Sequence, residues 1–343
     1  MESSYLLRNI CFDELSVTPK YQQLANCIID SIENGKLQVG DVLPSINELC
    51  EHFDICGTTA EKGYKTLKSL GIVGAVPGKG YFIQRIETQN VTKVFLMFNK
   101  LSPHKKIIYD SFIKALGSGV SVDFYVYNND FSMFKNLLNK VGSDYDYYVI
   151  IPHFIEGEDQ AAKIIDQLDK TKLILIDKMI PSVKGNYSAI YEDFKNNIHQ
   201  ALTDGLEILK KYHTIKIIFP ENSYYPYEIV EGFISFCQQY AFNCAVVSDI
   251  KTEKLCKGEV YINLLDSDLV TLIEKIKVEK LKLGKEIGVV SYNETPLKKF
   301  ILNGITTISA DFEEMGIQAA NIILHGIKKR ESVPFKLIVR SSI

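Results

Sequence analysis

The sequence predicts two fold classes in series: an α+β winged helix-turn-helix head, then an α/β unit of two lobes built on doubly wound parallel sheets. Three observations carry this. Two Ser/Thr-x-x-Glu capping boxes, Ser45–Glu48 and Thr58–Glu61, sit 13 residues apart and mark two short helices before a Gly-rich hairpin. From Val91 onward, strand-like apolar runs alternate with amphipathic helices, the pattern of parallel sheets, and the units are too many for one sheet. At 343 residues the chain is long enough for two or three domains at roughly 150 residues each.

In the head, Thr18-Pro19 predicts a helix start, with Thr18 as cap and Pro19 at the first helical position. Tyr21, Leu24, Ile28 and Ile32 recur at helical spacing, and Gly35 stops the run. The Ser45 box opens a second helix that packs Ile46, Leu49, Cys50 and Phe53 inward. Thr58 opens a third, to about Leu70, with Ala60, Tyr64, Leu67 and Leu70 as its buried stripe. That leaves Thr59, Lys62, Lys65, Thr66 and Ser69 facing outward. Ile72–Val76 and Tyr81–Ile83 then read as strands joined by Pro77-Gly78-Lys79-Gly80, whose glycines suit close approach to a phosphate.

Charge separates along the head. Residues 2–54 carry three Lys/Arg against nine Asp/Glu, whereas residues 55–85 carry Lys62, Lys65, Lys68, Lys79 and Arg85 against Glu61 alone. A local basic face attracts phosphates even on a chain of net charge −3, because salt screens charges beyond about 10 Å. Surface lysines on a helix are usually only solvated; the adjoining wing is what turns these into candidates. The expected contacts to double-stranded DNA are Ser45, Thr58, Thr59, Lys62, Lys65, Lys79 and Gly80.

At these residues the head resembles the GntR family of bacterial regulators. The likeness runs through Gly35-Lys36-Leu37-Gln38-Val39-Gly40-Asp41-Val42-Leu43-Pro44-Ser45, Glu48-Leu49, Thr58-Thr59-Ala60 and Gly78-Lys79-Gly80-Tyr81-Phe82. The family usually has arginines where this chain has Asn47 and Cys56-Gly57. The resemblance therefore implies DNA binding without implying the family's usual operator.

Beyond the head, Lys93–Phe98, Val122–Tyr127, Tyr147–Ile151, Lys172–Ile176, Ile215–Phe219, Val260–Leu264 and Ile287–Ser291 read as strands. Ile107–Leu116, Phe131–Val141, Asp159–Leu168, Asp193–Lys211, Tyr227–Ala241, Leu269–Val278 and Phe312–Ile327 read as helices. Two lobes place a ligand cleft at the C-terminal ends of the strands. Order and length resemble the periplasmic-binding-protein fold of lactose-repressor-type regulators, through Ile174-Leu175-Ile176-Asp177-Lys178, Glu231-Gly232-Phe233, Gly288-Val289-Val290-Ser291-Tyr292-Asn293 and Thr306–Phe312. That likeness implies a small-molecule effector, a sugar by fold analogy, and a homodimer on an inverted-repeat operator. The candidate effector contacts are Asn99, Ser102, His104, Asp177, Lys178, Tyr227, Asp266 and Asn293. Ile229, Lys178 and Asn293 depart from that family at the pocket, so its effector does not carry over.

The expected organisation is a DNA-binding head at 1–85, a polar linker at 86–92 and an effector and dimerisation unit at 93–343. No apolar run approaches the ~18 residues of a membrane span, and no secretory signal is visible, so a cytoplasmic location is expected. Seven scattered cysteines without a C-x-x-C, and His104 isolated and expected on the surface, argue against a metal. Neither a nucleophile elbow nor a hydrolytic carboxylate pair is visible, so neither an enzyme nor a cofactor is expected. A transport-type sugar binder and a sugar-processing enzyme with a regulatory head remain the alternatives.

Overall fold

A computed structural model describes residues 7–8, 10–76, 80–84, 91–140, 145–221 and 223–343. The head comprises helices α1 (Lys20–Glu33), α2 (Ile46–Phe53) and α3 (Gly57–Ser69), with wing strands β1 (Val73–Val76) and β2 (Gly80–Ile83). β1 and β2 pair antiparallel, and Val42 bridges to Phe82 on the far side of β2. Leu24, Ile28, Leu49, Ala60, Tyr64 and Leu67 form its core. Tyr64 also donates its hydroxyl to Pro44 O at 2.5 Å, tying α3 to the start of α2. The Ser45 box forms as expected: Ser45 Oγ accepts from Glu48 N at 3.2 Å, and Ser45 N donates to Glu48 Oε2 at 2.7 Å.

Two expected caps are replaced. Helix α1 begins at Lys20 after Pro19, and Thr18 instead turns its hydroxyl to Phe124 of the next unit. Helix α3 begins at Gly57 with Cys56, not Thr58, at the cap position. The Cys56 thiol lies 3.2 and 2.9 Å from the Thr58 and Thr59 hydroxyls, and these contacts, Thr58 first, lower its pKa to about 7.

Lobe 1 holds β3 (Thr92–Phe98), α4 (Pro103–Leu116), β4 (Val120–Val126), α5 (Phe131–Lys140), β5 (Tyr147–Ile150), α6 (Glu158–Ile165), β6 (Leu173–Asp177) and β7 (Ser188–Tyr191). The chain then crosses into lobe 2: α7 (Phe194–Asp204), α8 (Leu206–Leu209), β8 (Thr214–Ile218), α9 (Glu228–Gln239), β9 (Asn243–Val247), β10 (Glu259–Asn263), α10 (Asp266–Val278), β11 (Ile287–Tyr292) and β12 (Thr306–Ala310). Helix α11 (Phe312–His325) and β13 (Arg330–Ser332) return to lobe 1, and β14 (Phe335–Ile338) closes lobe 2. The sheet orders are β13-β7-β6-β5-β3-β4 and β14-β12-β11-β10-β8-β9, parallel except for β14. Their central strands β6 and β10 are buried at every residue, as helices cover both faces.

The single long helix expected from Asp193 to Lys211 is broken at Gly205. A side chain there would meet Leu337 of β14 at 2.3 Å, so only glycine fits at the junction, after which the chain restarts as α8.

Candidate functional site

The strands of both lobes point their C-terminal ends into one cleft. On lobe 1, Asp177 ends β6 with a φ of 73°, a left-handed backbone unusual for a non-glycine residue and common at functional turns. That turn buries its carboxylate at 4% exposure. The Lys105 ammonium, from the first turns of α4, lies 3.2 Å from Asp177 Oδ2 and also donates to Asn99 Oδ1. Asn99 in turn donates to Asn129 at 2.6 Å.

His153 Nε2 lies 2.8 Å from the same Asp177 oxygen. Burial, and then the Lys105 charge, lower the His153 pKa to about 4, so the ring is neutral and donates Nε2–H to the carboxylate. Its Nδ1 is then an acceptor, buried without a partner. Glu192, just after β7, is pushed the other way: burial first, then the neighbouring Asp177, raise its pKa well above the carboxylate range. Asp177 is held well below that range; burial opposes its charge, but the Lys105 charge and the His153 bond outweigh it. One proton thus rests on Glu192 and none on Asp177.

Lobe 2 presents neutral groups at the ends of β10 and β11. Asn263 Nδ2, at the end of β10, donates to Ser291 Oγ and to Leu265 O, both at 3.0 Å, while its Oδ1 is unpaired. Asn293 follows β11 with a φ of 65°; its Nδ2 reaches Tyr225 OH at 3.3 Å, and its Oδ1 is buried without a partner. Lys298 donates to Tyr292 O and Asn293 O at 2.9 and 2.8 Å and pairs with Asp266 at 2.9 Å. Tyr292 OH crosses between the lobes to Glu192 Oε2 at 3.2 Å.

Between these surfaces lies a cavity of about 240 Å³ whose walls include Ser102, His104, Tyr225, Asp266, Asn293 and Lys298. Lys100 also reaches it, its ammonium 4.3 Å above the Tyr224 ring. A buried acceptor left open at Asn293 beside tyrosine faces suits a small ligand with hydroxyl donors, whose apolar face lies on a ring.

Of the eight effector positions named from sequence, Ser102, His104, Asp266 and Asn293 line this cavity, and Asn99 and Asp177 form the buried cluster behind it. Lys178 turns away to pair with Glu158 of α6. Tyr227 is 58% exposed beside Phe219, and its neighbours Tyr224 and Tyr225 take the wall instead. His104 is not on the surface: it is buried, and desolvation, then Lys105, lower its pKa to about 3. Sequence reasoning also missed His153, which sits two residues past the Ile151 end of its strand run, where the strand-end rule would have found it. Lys105 carried no signal, since a lysine on a helix reads as a solvated side chain.

On the head, Ser45, Thr58, Lys62, Lys65 and Gly80 are exposed, and Thr59 is half-buried. Lys62 rests 3.9 Å above the Tyr21 ring, which leaves its ammonium on the outer face of α3. Lys79 lies outside the described residues. Among the described residues no cluster of three His, Cys, Asp or Glu side chains could hold a metal ion, and no helix is long and apolar enough to cross a membrane.

A winged helix joined to a two-lobed α/β unit defines the class, a regulator built from a helix-turn-helix head and a sensor-type fold. The model of the bacterial regulatory proteins of the gntR family matches residues 20–83. The HTH-type transcriptional repressor YtrA of Bacillus subtilis is 30% identical over 114 residues, which cover 33% of this chain and 84% of YtrA. The chain belongs to the gntR family. With the regulator YjiR of Escherichia coli it shares 30% identity over only 15% of that protein's length.

The remainder has the fold of lactose-repressor-type regulators. A periplasmic binding protein/LacI transcriptional regulator from Alkaliphilus metalliredigens, complexed with D-xylulofuranose, superposes with a TM-score of 0.57 at 15% identity, over 73% of this chain and 98% of that one. The trehalose repressor of Escherichia coli gives 0.56 at 13%, over 73% and 100%.

Proposed function

We propose that the chain is a ligand-responsive transcriptional regulator, in which α3 and the wing bind operator DNA and the interlobe cleft binds a small sugar-like effector. The observation that carries the reading is the pairing, in one chain, of an exposed basic α3 with a cleft that holds unpaired buried polar atoms. A monosaccharide fits the cavity's size and its mix of amides, hydroxyls and tyrosine faces, and control of a carbohydrate-utilisation operon follows from that effector. The D-xylulofuranose bound by the Alkaliphilus neighbour supports the same reading. One winged helix covers half of an operator, so the working form is a homodimer on an inverted repeat.

The test for the head is selection of operator DNA by the full chain, followed by mobility shift. Lys62→Ala with Lys65→Ala should weaken binding and flatten the slope of log K against log[salt] by about one unit per lysine. Undiminished affinity in that variant overturns the assignment of α3. For the cleft, a thermal-shift panel of sugars and nucleosides should raise the melting temperature with a monosaccharide, since a ligand that binds the native state stabilises it.

A further inference from the structure

Residues remote from the 86–92 connector join the head to lobe 1. Ser16 forms an antiparallel bridge with Tyr125, Val17 N–H donates to Phe124 O at 2.8 Å, and Phe124 N–H donates to Thr18 Oγ1 at 2.7 Å. β4 is the outer strand of sheet 1, so residues 16–18 satisfy backbone groups that an open edge would leave to water or to another chain. Thr18 is buried at 4% exposure, although it precedes an amphipathic surface helix.

Helix α1 reinforces this contact with a polar stripe at i, i+4 and i+7. Asn26 donates to Asp123 Oδ1 at 2.8 Å, Asp30 pairs with Lys93, and Glu33 pairs with Lys93 at 2.7 Å. Tyr145 holds the other Asp123 oxygen at 2.6 Å. Asp13 adds Lys140 at 3.1 Å and Tyr125 OH at 3.2 Å.

The opposite face of α1 carries the recognition helix. Gly63 of α3 sits so close that an added Cβ would meet Leu24 Cδ2 at 2.8 Å and Tyr21 O at 3.1 Å. One helix therefore bears on lobe 1 with one face and on α3 with the other, while Lys62 and Lys65 stay exposed.

We infer that the edge of β4 is a docking surface for this chain's own head, and that strand addition there and the ion pairs of α1 fuse head and lobe 1 into one body. A change in the cleft then reaches α3 as movement of that body against lobe 2, not as slack in the connector. The docking is independent of what either part binds; only its use as a signal path rests on the proposed function.

Hydrogen exchange of the full chain tests it. The Val17 and Phe124 amides should exchange slowly in the wild type. They should accelerate by about tenfold or more in Thr18→Val/Asp30→Asn/Glu33→Gln, with peptides of β10 unchanged. Lys93→Gln, made on the lobe side, and 1 M NaCl should each accelerate the same two amides, so a misfolded head cannot mimic the result. Wild-type amides that exchange at open-edge rates overturn the proposal, as does a triple variant with wild-type protection. A failed latch alongside intact operator binding would remove this inference and leave the proposed function standing.

Discussion

The two lobes repeat one strand order but finish their strands in opposite chemistry. Lobe 1 ends in a buried ionic cluster, with Asp177 held by Lys105 and His153 and with a protonated Glu192 beside it. Lobe 2 ends β10 and β11 in amides and hydroxyls at Asn263, Ser291 and Asn293, with the buried cation Lys298 neutralised at the rim by Asp266. A buried charge without its partner costs far more than a neutral amide without one, so the cluster is the costlier surface to alter. The difference teaches that one strand order can carry two walls of unequal tolerance to substitution, lobe 1 the less tolerant.

The largest expected effect strikes that contrast directly. Asp177→Ala strands the Lys105 ammonium and should destabilise the two-lobed unit by about 3–5 kcal/mol in urea unfolding. Asn263→Ala in lobe 2, which loses neutral hydrogen bonds, should cost about 1–3 kcal/mol. Equal costs would break the comparison.

Acid sharpens it. Unfolded, the two histidines take up protons below pH 6.5 and Glu192 is ionised above 4.5; folded, His153 and His104 stay neutral down to about 4 and about 3, and Glu192 keeps its proton. The depressed histidines make stability fall as pH falls, while the raised Glu192 opposes them. With the Asp177–Lys105 pair unchanged, the unfolded state binds one more proton than the folded state between those limits. Stability should therefore rise with pH by ~1.4 kcal/mol per unit. Glu192→Gln removes the opposing contribution and should about double that slope, which urea midpoints at three pH values would read. A slope unchanged by the variant would mean that Glu192 is ionised in the folded cleft.

At the lobe 2 wall, Asn293→Ala should abolish the thermal shift given by the first sugar that binds, and its lost buried hydrogen bond at a left-handed position should cost about 1–3 kcal/mol. Retention of the full shift would remove Asn293 from the site. In the head, away from both lobes, Ser45→Ala loses one cap and should cost ~1 kcal/mol of head stability, measured by exchange of the α2 amides.

Local chemistry was legible in the sequence and long-range chemistry was not. The Ser45 box needs only residues three apart, and strand-end polar residues such as Asp177 and Asn293 follow from alternation alone. Thr18 fits the cap pattern equally well, but the edge of β4 competes for its hydroxyl, and no local pattern reports a partner 106 residues away. Gly205 is required by Leu337, still more remote in the chain. Lys105 and Glu192 carry no local signal, because their partners Asp177 and Tyr292 come from other strands. Tyr224 and Tyr225 line the cavity while Tyr227 is exposed, and the loop after β8 has no periodicity that says which tyrosine turns inward.

The chain crosses between lobes three times, and the last two crossings set an order of assembly. Sheet 1 begins at Thr92 but gains its edge strand only at Arg330–Ser332, after α11 has packed on α4. At ~5–20 residues per second of synthesis, the head and most of lobe 1 emerge roughly seven to thirty seconds before that strand. The head and most of lobe 1 thus exist on the ribosome before either sheet is complete. Any chain cut short just beyond β12 keeps the head and loses the edge strand of both sheets.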